Sequence, residues 1–217
     1  GSPSFHQIPR LVSVAGRVPA GRTLGRGLRA VAAPVVRQFT SPKYAGLLEY
    51  GTSYGGAYLL RRGLYMPWEL PEVLDPDLVR AGWEQLQPLA RLDETADAVG
   101  EGRAAVSALE SCWYMRNQLL RDTDWASMAH SLEVRTPLVD WSLLRTVGPT
   151  VARNGLTKRD MARVPERPLP DDLLDRPKTG FTVPLREWLL EGRPEYERAR
   201  GLRGWAQYVY RQKWGEA

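Results

Sequence analysis

A chain of 217 residues is long enough to bury a substantial core. Its 43% hydrophobic residues and 8 Trp fit a globular class, and a single cysteine, Cys112, excludes an internal disulfide framework and points to a reducing, cytoplasmic setting. The net charge of +5 is unevenly spread: residues 1–62 hold nine basic residues against Glu49 alone, while the remainder is slightly acidic. Because 26 of the 30 basic residues are Arg, the skew reads as compositional and nucleic acid is not expected as a partner.

In chain order, the first 40 residues place Ile8, Leu11, Val12 and Val14, then Leu24, Leu28, Val31, Val35 and Phe39, at spacings of three and four, which predicts two short helices. The longest apolar run, Ala30 to Val36, spans seven residues and contains Pro34, far short of the roughly 20 a membrane helix needs. No signal peptide is expected. Lys43 to Leu64 reads as helical despite its glycines. Asp75 is placed to cap a helix from Pro76 to Ala90.

The most strongly periodic segment runs from Ala96 to Leu120, with Val106, Leu109, Trp113, Met115 and Leu120 near one face. A helix follows Pro137 and is expected to stop at Gly148-Pro149. From Pro165 to Phe181 the chain reads as loop; Pro184 then opens a helix with Leu185, Trp188 and Leu189, and a last helix carries Trp205, Tyr208, Val209 and Trp214. No run alternates apolar and polar residues over five positions, so the fold class is mainly α.

A search for chemistry is mostly negative. His6 and His130 are far apart and one cysteine completes no zinc set, so no metal site is expected from this chain's own ligands. The glycines at 25, 27, 51, 55 and 56 form no phosphate-cradling fingerprint and read as turns and close helix packing. Cys112 beside Trp113 reads as a small buried apolar residue.

Two stretches are more specific. Residues 121–140 interleave charges with small and apolar residues, which predicts that Asp124, Glu133 and Arg135 sit at a partly buried junction and are paired there. In residues 175–185, Pro177 stiffens the backbone before Lys178, Gly180 permits a tight bend and Phe181 anchors the loop. The run Ser127-Met128-Ala129-His130-Ser131-Leu132-Glu133-Val134-Arg135-Thr136-Pro137-Leu138-Val139-Asp140 resembles the asparagine synthetase family pattern S-M-A-x-S-x-E-x-R-x-P-F-L-D. Some 40 residues on, Arg176-Pro177-Lys178-Thr179-Gly180-Phe181 resembles that family's R-x-K-x-G-F loop, followed by Val183-Pro184-Leu185 and Trp188-Leu189. The start, with Pro3-Ser4-Phe5, and the aromatic end from Trp205 to Trp214 extend the likeness; the family's Asp-Arg before the Ser-Met motif is here Asp124-Trp125.

The resemblance implies the helical C-terminal portion of an adenine-nucleotide α-hydrolase-like domain, lacking most or all of the parallel sheet. Residues 1–95 are then a basic helical subregion, and residues 96–217 carry the motifs and the Lys178 loop. Such enzymes use ATP and Mg2+ to turn a carboxylate into its adenylate, which ammonia from an N-terminal glutaminase attacks. The resemblance makes Lys178 the catalytic candidate, as a cation where pyrophosphate departs. Asp124 and Arg176 are candidates for substrate or nucleotide binding, although Asp124 serves equally well as a helix N-cap. Glu133, Arg135, Gly180 and Phe181 are expected to brace the site.

The family's S-G-G-x-D-S nucleotide loop and acidic G-G-D-E segment do not occur. The expected partners are therefore a nucleotide-binding half and a glutaminase domain, with some arginines of residues 1–62 facing the acidic half; alone, the fragment is expected to be inactive. Related cyclising enzymes, the β-lactam synthetases and lasso-peptide cyclases, fit the same motifs, and a non-catalytic helical interaction module is the reading from another class.

Overall fold

A computed structural model of the chain describes residues 4–17, 25, 27, 29, 42–154, 157–177 and 184–215; every regular element among them is helical, as the mainly α reading expects. No helix among the described residues is long and apolar enough to cross a membrane. The chain divides into two compact units, one of residues 1–121 with 185–217 and the other of residues 122–184.

The larger unit opens with α1 (Ser4–Ala15), which buries Ile8 and Ala15. Of the second helix expected in the first 40 residues, only residues 25, 27 and 29 are described, all helical; its apolar positions Leu24, Leu28, Val31, Val35 and Phe39 lie outside the described residues. Lys43 to Leu64 is not one helix: a tight turn over Pro42–Gly46 leads into α2 (Leu47–Tyr50), and α3 (Tyr54–Arg62) starts afresh after Gly51. Two side chains cap α3, Ser53 accepting from the Gly56 N–H at 3.1 Å and Asp93 from the Gly55 N–H at 2.9 Å.

The cap at Asp75 forms as the sequence predicts, its carboxylate accepting from the N–H groups of Asp77 and Leu78, both at 2.9 Å. The helix it opens is shorter than expected. Pro88 cannot continue it and biases the preceding residue out of the helical region, so Gln87 takes a φ of 46° and separates α4 (Pro76–Leu86) from α5 (Pro88–Asp97). The predicted helix from Ala96 is also displaced. Gly100 and Gly102 adopt φ values of 91° and 66°, and the helical run begins only at α6 (Arg103–Leu109). It continues as a wider π-helical winding over Glu110–Leu120.

The core of this unit gathers Ile8, Ala57, Tyr58, Leu92, Ala96, Ala105, Val106 and Leu109, from α1, α3, α5 and α6. Close approach of α3 to α5 depends on Gly55, where a Cβ would lie 2.7 Å from the Asp93 backbone nitrogen. At the other end of the chain, α11 (Leu185–Leu190) and α12 (Pro194–Glu197) pack on α13 (Arg203–Trp214) and bury Leu190 and Tyr196; α11, which carries Leu185, Trp188 and Leu189, begins directly after Pro184.

A buried ion pair joins the two ends of the unit. Arg203 donates from its two Nη atoms to the two oxygens of Glu69, at 2.8 and 2.9 Å, and from Nε to the Leu64 carbonyl at 2.9 Å. Glu69 also accepts from the Met66 N–H at 2.8 Å, and the Tyr65 hydroxyl donates to the Arg203 carbonyl at 3.0 Å. The Glu69 side chain is only 8% exposed and that of Arg203 19%, so neither charge is well solvated once its partner is removed.

In residues 122–184, α7 (Arg121–Met128) leads to α8 (Trp141–Asn154), which Asp140 caps by accepting from the Leu143 N–H at 2.8 Å. The expected stop at Gly148-Pro149 does not occur; α8 runs through Pro149, whose ring removes one donor without ending the helix. Next, α9 (Lys158–Ala162) has a reciprocal capping box between Thr157 and Asp160, whose hydrogen bonds hold the Asp160 carboxyl below its ordinary range. Within the expected loop lies one helical turn, α10 (Asp171–Leu174).

Replacing one member of the buried pair, as in Arg203→Met, is expected to lower stability by about 3–5 kcal/mol, with much of the loss recovered in Glu69→Leu/Arg203→Met. Denaturant unfolding of the full chain measures this, and a loss below about 1 kcal/mol for the single change contradicts it. Gly55→Ala is expected to cost about 1–3 kcal/mol in the same assay, by forcing α3 away from α5.

Candidate functional site

The motif segment begins on α7. This helix ends at Ser131, which takes a φ of 58°, the left-handed region usually left to glycine. The Leu132 N–H donates to the Ser127 carbonyl and the Ser131 N–H to the Met128 carbonyl, both at 3.0 Å, the paired bonds of a Schellman turn. Beyond it the backbone runs without regular structure to Pro137. Residues two apart share a side of an extended chain, so Glu133 and Arg135 meet, Nε to Oε1 at 3.0 Å.

The pair forms, but not at a partly buried junction. Glu133 is 68% and Arg135 81% exposed in their side chains, so water rather than protein solvates both charges. Asp124 is also exposed, and it is not an N-cap. It is the fourth residue of α7, which follows directly on the π-helical winding, so its neighbouring N–H groups are not the orphans of a helix start. Its carbonyl accepts from the Ser127 hydroxyl at 3.2 Å.

Arg176 is exposed, after α10. Lys178, Gly180 and Phe181 lie outside the described residues. The approach to them is tethered: Arg159 on α9 pairs with Asp175 at 2.8 Å, and both Arg159 and Arg163 lie within 3.9 Å of Asp171. The sequence reading missed Arg159, which lies 16 residues before its partner in a segment with no motif.

In the larger unit, Tyr58, Leu59, Arg62, Gly63, Trp113, Tyr114 and Gln118 line an open cleft of about 430 Å³. Arg62 donates from Nε to Glu110 at 3.0 Å and from Nη2 to its second oxygen, and its guanidinium lies 3.9 Å from the Tyr114 ring centroid. Burial, reinforced by the Glu110 charge, pushes the Tyr58 hydroxyl well above its usual range, so it stays protonated. Cys112, expected to be buried, is half-buried on the same winding and carries a free thiol.

The model of the family described as asparagine synthase matches residues 10–212. The chain belongs to the asparagine synthase family. It is 34% identical over 89 residues, 39% of the chain, to the protein named asparagine synthetase (glutamine-hydrolyzing) 1 of Bacillus subtilis. Over 148 residues, 64% of the chain, it is 30% identical to the putative asparagine synthetases (glutamine-hydrolyzing) of Mycobacterium bovis and Mycobacterium tuberculosis. The aligned stretches cover 14% of the Bacillus protein and 20% of the mycobacterial ones, so the chain spans a small part of the curated relatives it matches. No solved structure matches it.

Family membership gives the motif residues their interest, and exposure limits what they do for this chain alone. Glu133→Gln is expected to change unfolding free energy by less than about 1 kcal/mol, as for other exposed pairs. A larger loss in denaturant unfolding assigns the pair a structural role within residues 122–184.

Proposed function

We propose that this chain is the helical C-terminal part of an asparagine synthetase-like synthetase domain. In the complete enzyme, ATP and Mg2+ supply carboxylate activation as an adenylate, and ammonia then forms the amide. The observation that carries the reading is the state of the motif-bearing unit. Among its described residues none is buried, while Trp125 is 64% and Trp141 70% exposed. Trp141, Leu144, Val147 and Val151 recur every three or four residues along one face of α8, all of them exposed. An apolar surface of that kind fits a segment that packs against further protein of the same enzyme.

Among the described residues no group of three or more His, Cys, Asp or Glu side chains is placed to hold a metal ion by itself. Their proposed contribution is positive charge. Lys178, with Arg176 two residues before it, holds cations against the oxygens on which negative charge gathers as the phosphoric anhydride breaks. Arg159, through Asp175, positions the chain that leads to them. Aspartate is the default carboxylate, because the matched relatives are named asparagine synthetases.

Two measurements test the reading. Incubated with ATP, Mg2+, aspartate and ammonia, this chain is expected to release neither AMP nor pyrophosphate, and measurable release contradicts its assignment as an incomplete part. In the full-length enzyme, Lys178→Ala is expected to lower kcat by about 10²–10³-fold with an unchanged unfolding midpoint. Unaltered turnover removes Lys178 from the chemistry.

A further inference from the structure

The cleft along α3 depends on the π-helical winding that forms its other wall. Hydrogen bonds from residue i to i+5 bring residues five apart onto one side, whereas an α-helix would set them about 140° apart. Trp113 and Gln118 are five apart within Glu110–Leu120, and both line the cleft together with Tyr114. Tyr58 and Leu59 line it from α3. Its volume of about 430 Å³ lies in the range of small-molecule sites.

The lining favours an uncharged guest. Arg62 is the charged residue in it, and both oxygens of Glu110 already accept from its guanidinium, which lies 3.9 Å from the Tyr114 ring centroid. The wall therefore offers no free cation and no free carboxylate to an ion. The Trp113 indole N–H donates to the Thr95 hydroxyl at 3.0 Å, which fixes the ring before any ligand arrives. Among the described residues, Arg61 Nε is the one buried side-chain polar atom without a partner. The hydroxyl of Tyr58, a residue only 4% exposed, has no partner among them either, so it reaches water at the cleft it lines. Kept protonated by burial and the Glu110 charge, it has a proton to donate. The exposed Gln118 amide is likewise unengaged among the described residues and offers both a donor and an acceptor.

We propose that this cleft binds an uncharged planar aromatic ring bearing a carboxamide-like substituent, packed against Trp113 and Tyr114, with Tyr58 donating to the substituent and Gln118 completing its hydrogen bonds. A flat ring gains offset or edge contacts with aromatic walls that a puckered aliphatic ring does not. A charged guest would be taken out of water beside an ion pair that is already complete, with nothing to offset the cost. None of these residues lies within 121–140 or 175–185, so the site stands or falls independently of the role given to Lys178.

Titration of the full chain with benzamide near neutral pH, followed by NMR, tests the site. Saturable shifts are expected at the Leu59 methyls and the Trp113 indole N–H, with a Kd on the order of 1 mM for a ligand of this size. Cyclohexanecarboxamide, with the same substituent on a puckered ring, and benzoate, which is charged, are each expected to bind about fivefold or more weakly. These comparisons need no variant to fold. Tyr58→Phe, which keeps the ring in the core, is expected to weaken benzamide binding about fivefold, and Arg80→Gln on exposed α4 to leave it unchanged. No saturable shift at Leu59 and Trp113, equal affinity for cyclohexanecarboxamide, tighter binding of benzoate, or undiminished affinity in Tyr58→Phe overturns the proposal.

Discussion

Removing a guanidinium and a carboxylate from water costs several kcal/mol for each ion, and the cost is offset only when every donor and lone pair finds a partner in good geometry. At Glu69 and Arg203 this requirement is met across 134 residues of sequence. The forked pair, the Met66 N–H and the Leu64 carbonyl leave neither charge unsatisfied. The register of α13 follows from it. A rotation of the helix by one residue would withdraw Arg203 and leave Glu69 buried alone. Gly204, next in sequence, allows the backbone of α13 to approach that of α12, because a Cβ there would sit 2.0 Å from the Tyr196 carbonyl oxygen. Two adjacent residues thus dock the C-terminal helix.

Residues 122–184 are organised by different forces. Their helix ends are well satisfied, by the Schellman turn at Ser131, the Asp140 cap and the capping box at Thr157. Such devices each contribute about 0.5–2 kcal/mol and define where a helix starts or stops, but they do not supply a core. With no buried residue described in this unit, local hydrogen bonding sets its shape and its apolar stripe stays in water. The family motif lies in this unit, and its charged residues are exposed among the described residues. Glu133 and Arg135 thus pair in the open although their sequence context suggests burial.

Local chemistry was legible in the sequence where one residue decides it. Asp75 caps, proline opens α4, and the closing aromatic helix sits where its spacing puts it. Boundaries failed where periodicity ran through a backbone constraint. Pro88 and the left-handed Gly100 and Gly102 interrupt stripes whose side chains alone suggest continuity, whereas Pro149 does not end a helix that its neighbours sustain. The Glu69–Arg203 pair was invisible, since Glu69 stands in a proline-punctuated connection with no periodic signal and its partner is far away in the chain. The family motif was legible as a string. The surroundings of Asp124, Glu133 and Arg135 depended on burial, which no spacing reports.

The arginine excess takes on physical content once partners are assigned. Arg29 pairs with Glu49 and stacks over Trp68, and Arg62 pairs with Glu110 over Tyr114. In both, a planar cation satisfies a carboxylate and covers an aromatic face, a combination lysine does not reproduce. These positions therefore use arginine for its shape, and compositional drift alone does not account for them.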